Sequence, residues 1–232
     1  SPIVDLLQSN ALQDLPLETF GIGTDKLVEL ISNAPAKVSA FISTLIDISR
    51  NYEMKVEQFY LTALRSYQQM HDNYFEEIEE SVQLFMDEYQ ENAHEKIDFS
   101  LKTLQTVLSQ KYHYTIDENR LSKYPELRSV RSLFVKKKRQ HLLLINDNLN
   151  AIQQKFQLSK EIGYQYMKLN ERNMGPSWMQ ASSFEQTLNN FKASYFAGAL
   201  LINREPLIED LANLFHSTTW NGDLFLQMMK GY

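Results

Sequence analysis

The stretch Phe156-Gln157-Leu158-Ser159-Lys160-Glu161-Ile162-Gly163-Tyr164 reads as the middle of a helix. That helix starts from a cap at Asn146, Asp147 or Asn148 and runs to about Leu169. Just before it, Leu142 to Ile145 has β character, so a strand leads directly into this helix. Lys160 and Tyr164 stand four residues apart on one helical face, with Glu161 between them. Two imidazoles at those places would bind zinc, with the glutamate as general base. Neither residue is an imidazole. A lysine ammonium is not a zinc ligand, and its charge repels a dication. The stretch therefore calls for no metal and no cofactor, and it assigns no catalytic group. Glu161 stands as a general-base position without its metal.

Composition narrows the remaining classes. A chain of 232 residues, 43% hydrophobic, is long enough to bury a core in one or two domains. The net charge of −6 does not favour nucleic acid as a partner of this chain. With no cysteine there is no disulfide, no thiolate zinc site and no cysteine-ligated iron–sulfur cluster. No apolar run approaches a membrane span, and a cytoplasmic protein with no membrane partner is expected. The histidines His71, His94, His113, His141 and His216 show no paired helical spacing. A metal held by His113, His141 and Glu161 is geometrically conceivable, but none is expected.

Outward from the central stretch, the chain is mostly helical. Thr24 to Asn33 and Ala36 to Arg50 each fit a helix, separated by Pro35. From about Lys55 to Glu91 apolar residues recur every three or four positions with no Gly or Pro, which predicts one long helix with an acidic outer face. Such a helix needs a partner for its stripe, so residues 24–92 are expected to self-associate as a homodimer. Ile97 to Gln110 reads as a further helix, and Tyr112 to Ile116 and Val130 to Lys136 as strands. The second of these forms a hairpin with Leu142 to Ile145 around Lys137-Lys138-Arg139. Ser182 or Ser183 caps a helix to about Ile202, Pro206 opens a shorter one to about Phe215, and Asn221-Gly222 precedes the last. The fold class is thus α+β and mainly helical, with long N-terminal helices before a small domain carrying a short β-sheet. The expected division is a helical linker and oligomerisation region over 1–93 and a second domain over 94–232.

Three segments in this order resemble the ImmA/IrrE-type metallopeptidases. Leu142-Leu143-Leu144-Ile145-Asn146 is similar to the strand before their active-site helix, and Phe156 to Tyr164 to the helix pattern F-T-L-A-H-E-L-G-H. Ala193 to Leu201 is similar to their A-N-x-F-A-x-x-L-L segment. The resemblance covers roughly residues 97–205 and implies a zincin-like second domain. It also implies that Lys160, Tyr164 and Asn190 occupy the places of the His, His and Glu zinc ligands, so that the metal site is lost. The words Leu15 to Gly21 and Ala63 to Tyr67 resemble helix-turn-helix bacterial transcription regulators of the short-chain fatty acyl-responsive group. That second resemblance implies a DNA-binding segment upstream of Ser1, since no helix-turn-helix is visible in the chain itself.

Together these readings lead to a non-catalytic sensor and oligomerisation region of a transcription regulator. Its former peptidase cleft is expected to bind a short-chain acyl or acyl-coenzyme A ligand through Lys160, Tyr164, Asn190, Glu161, Phe156 and Tyr195. Lysine suits phosphate or carboxylate, while tyrosine and asparagine add directional hydrogen bonds. Two alternatives stay open: a structural dimerisation module with a filled cleft, and an active metal-dependent peptidase.

Overall fold

Leu142 to Ile145 is apolar at every position because its strand, β3 (His141–Ile145), lies in the middle of a sheet and is covered on both faces. β1 (Tyr114–Asp117) pairs parallel to it, with Tyr114 opposite His141. β2 (Ser132–Lys136) pairs antiparallel, with Lys136 opposite His141 and Ser132 opposite Ile145. The hairpin and the order β1-β3-β2 make a small mixed sheet. Leu142 and Leu144 point to one face and pack with Leu121 and Val130, bordered by Leu127, Leu133 and Val135. Leu143 and Ile145 alternate to the other face.

The computed structural model describes residues 56–90, 99–136, 141–172, 183–216 and 219–231. Among these residues it holds seven α-helices and one three-stranded sheet, a mainly helical α+β fold. The helices are α1 (Val56–Met70), α2 (Glu76–Gln90), α3 (Leu101–Lys111), α4 (Ala151–Tyr166), α5 (Phe184–Leu201), α6 (Arg204–Phe215) and α7 (Gly222–Met229). The helices expected over residues 24–50 lie outside the described residues. None of the helices described is long and apolar enough to cross a membrane.

The chain divides into two compact units. In the first, the described residues are 56–75, 171–172 and 183–190. Tyr60 meets Phe184 there at 6.4 Å between ring centroids, and the Asn189 amide donates to the Glu171 carbonyl at 2.9 Å. The second unit contains the sheet, α2, α3, α4, the part of α5 from Phe191 onward, α6 and α7.

The single helix expected from Lys55 to Glu91 is corrected to two. α1 closes at Met70, and Asp72 and Asn73 take left-handed conformations with φ of 50° and 57°. The Asn73 N–H reaches back to the Gln68 carbonyl at 2.8 Å, closing the last turn. Asn and Asp enter this region at lower cost than other L-residues, so the helix stops without Gly or Pro. The rings of Tyr67, His71 and Phe75 then pack together across the turn.

In the second unit Phe85 is the hub of the core. Its fully buried ring meets Tyr89, Phe99, Tyr166 and Phe196 at centroid distances of 4.8 to 5.9 Å. α2 adds Ile78 and Val82, and α3 adds Leu104, Val107 and Leu108. Each large side chain buried this way contributes roughly 1.5–3 kcal/mol. α3 is capped by Ser100, whose hydroxyl accepts from the Thr103 N–H, and it packs against α4.

Candidate functional site

α4 begins at a capping box: Asn150 accepts from the Gln153 N–H, and the Gln153 side chain accepts in turn from the Asn150 N–H. The cap expected at Asn146, Asp147 or Asn148 is thus corrected to Asn150. Asn146 is committed elsewhere. Its buried amide donates to the carbonyls of Leu127, Arg128 and Val130, which fastens the end of β3 to the segment before β2.

From Gln157 to Tyr164 every residue of α4 except Lys160 is buried. A helix buried nearly all round is a core element rather than a surface one. Gln157, Glu161 and Gln165 lie one turn apart on a single stripe, and all three bond into the sheet. The Ser132 hydroxyl of β2 donates to Gln157 Oε1 at 2.7 Å. On β1, the Tyr114 hydroxyl donates to Glu161 Oε2 at 3.1 Å and accepts from Gln165 Nε2 at 2.7 Å. Glu161, only 4% exposed, therefore has its carboxylate directed at the sheet and held there.

Phe156, Lys160 and Tyr164 form the adjacent stripe, spaced by four residues. Phe156 and Lys160 are half-buried, whereas Tyr164 is 5% exposed and part of the core. Tyr195, on α5, is half-buried, and its hydroxyl donates to Glu79 Oε1 on α2 at 2.8 Å. Asn190 is exposed on α5 and belongs to the first unit. Within the second unit, then, Lys160, Tyr164, Glu161 and Phe156 share one helix. Tyr195 is tied to α2.

Gly163 has a packing reason. A Cβ there would lie 3.0–3.1 Å from Cδ1, Cβ and Cγ of Phe196, whose ring is wholly buried. The glycine lets α5 press its Ala193-Phe196-Ala197 face close to α4. Ser159, between Leu158 and Lys160, carries a fully buried hydroxyl with no hydrogen-bond partner.

Among the described residues no three His, Cys, Asp or Glu side chains form a group that could hold a metal ion. His113 sits before β1 with φ of 58°, and the ring of His141 packs beside Tyr114 and Phe134. His216 caps the end of α6, where its Nδ1 lies 2.6 Å from the Ala212 carbonyl. Sequence reasoning missed Tyr114 as the partner of Glu161. The parallel pairing that brings β1 beside β3 is its source, and no local spacing signals that pairing.

Residues 118–226 match the family model of the IrrE N-terminal-like domain. The match begins just after β1 and extends into α7, and it includes the hairpin and the whole of α4. No curated protein and no solved structure matches the chain.

Proposed function

We propose that the chain is a non-catalytic regulatory region of a bacterial transcription regulator, in which an IrrE-like motif helix has become a structural one. The observation that carries this reading is the Tyr114–Glu161 hydrogen bond inside the core. A general base must reach a water or a substrate proton, and this carboxylate is turned into the sheet instead. The zinc positions of the motif pattern hold Lys160 and Tyr164, and Tyr164 is packed in the core. Self-association through the N-terminal helices belongs to the same proposal, and DNA contact is assigned to a helix-turn-helix outside this chain.

A ligand role for the motif face is favoured by one specific observation. Lys160 is the one position from Gln157 to Tyr164 that is not buried. It offers a cation suited to the phosphate or carboxylate of a short-chain acyl or acyl-coenzyme A effector.

A thermal-unfolding screen against acyl-coenzyme A thioesters, free short-chain acids and zinc tests both parts. Ligand at about a hundred times its Kd adds roughly 2.7 kcal/mol, a shift of several degrees for a chain of this length. A thioester shift lost in Lys160→Ala supports the effector site. A zinc shift overturns the non-catalytic reading, and no shift with any of them reduces the region to a dimerisation module.

A further inference from the structure

At the opposite end of α4 from its cap, four residues gather around the ammonium of Lys111. Lys111 is the last residue of α3, and its Nζ lies over the rings of Tyr89, Tyr112 and Tyr166 at 5.3, 5.6 and 5.7 Å from their centroids. Glu88 Oε1 accepts from the same nitrogen at 2.5 Å. The residues come from α2, from the end of α3 and from the last position of α4, so three elements converge on one point.

We propose that Glu88, Tyr89, Tyr112 and Tyr166 form a cation-binding cage in which Lys111 is the built-in occupant, and that a small quaternary ammonium ion enters when Lys111 leaves. Three aromatic faces and one carboxylate around a single cation are the donor set that suits an ammonium with no N–H to satisfy. A single carboxylate is too few for a divalent metal, which needs several oxygen ligands.

Two further features fit this role. The Tyr112 hydroxyl is buried without a hydrogen-bond partner, so no polar contact of its own explains the placement of that ring. Burial first, and then the charge of neighbouring Glu88, push the Tyr89 and Tyr166 phenols above their ordinary value. Tyr112 is raised by burial and by its neighbours Tyr89, Glu88 and Tyr166 in turn. The rings thus stay neutral, with their π faces intact, well above physiological pH.

The occupant is displaceable. The Lys111 and Glu88 side chains are 34% and 47% exposed, so the cage opens to solvent, where an ion pair holds only weakly. A methyl-covered cation is less strongly hydrated than a lysine ammonium and loses less on meeting the rings. Lys111, tethered beside the cage, acts as an internal competitor that weakens ligand binding in the unmodified protein.

The test titrates wild type, Lys111→Gln and Lys111→Ala with tetramethylammonium at constant ionic strength, read by tyrosine fluorescence and by the methyl proton signal of the ion. Saturable binding is expected, about tenfold or more tighter in the Lys111 variants than in wild type. Adding Tyr112→Ala to Lys111→Gln removes it. Neohexyl alcohol, the uncharged counterpart of choline, does not compete. The cage is refuted by a Lys111→Gln protein with native circular dichroism and no saturable binding, and equally by binding that the neutral alcohol matches.

Discussion

Tyr114→Phe removes one hydroxyl and keeps the ring, and it separates a structural glutamate from a catalytic one. In the native fold that hydroxyl is the donor to Glu161 Oε2 and the acceptor for Gln165 Nε2. Losing a hydrogen bond to a buried carboxylate costs roughly 1.5–3 kcal/mol. Gln165 is only part-buried and turns to solvent, so it adds little. The expected loss is therefore about 2 kcal/mol, a fall in Tm of about 4–8 °C for a chain of this size. Urea denaturation followed by circular dichroism measures it, with the slope of the transition unchanged. Glu161→Gln and the double variant complete a cycle in which the pair couples by about 1 kcal/mol or more. A loss below about 0.5 kcal/mol refutes the reasoning, because it means that water replaces the hydroxyl at the carboxylate, as in an open peptidase cleft.

Ser159→Ala raises stability by about 1 kcal/mol in the same denaturation assay, since it deletes a buried hydroxyl that has no partner and improves helix propensity. Gly163→Ala lowers it by about 1–2 kcal/mol: Phe196 is held by Phe85 and Tyr166, and the cost of overpacking exceeds the helical gain from alanine. The tyrosine cluster makes stability depend on alkaline pH. The folded-state values of Tyr89, Tyr112 and Tyr166 are raised above 10.0, so their full contribution is present below pH 10 and is lost as pH rises toward the folded values. Unfolding midpoints measured from pH 8 to 11 fall above pH 10, and Tyr112→Phe makes that fall shallower.

Much of the fold is legible because periodicity and caps are local. Leu142 to Ile145, an unbroken apolar run, is a strand covered on both faces, and Asn221 and Ser183 serve as the helix caps their positions suggest. On α5 the small side chains of Ala193 and Ala197 are fully buried. Failures come where a residue has two possible uses. Asn146 reads as a helix cap but spends its amide on three carbonyls across the chain, leaving the cap to Asn150. The break after Met70 is invisible to a rule that waits for Gly or Pro, because Asp72 and Asn73 supply left-handed backbone themselves. The site divides along the same line. The spacing of Lys160, Glu161 and Tyr164 is readable from the sequence, but the direction of Glu161 depends on Tyr114, 47 residues away.

Calorimetric titration of the purified chain with zinc, beside Glu161→Ala, tests the central claim most directly. The account predicts no stoichiometric binding to the wild-type protein, and a Glu161→Ala variant that differs from it only in being less stable. One equivalent of zinc bound by the wild type and lost in Glu161→Ala contradicts the account, and returns α4 to service as a metal-binding helix.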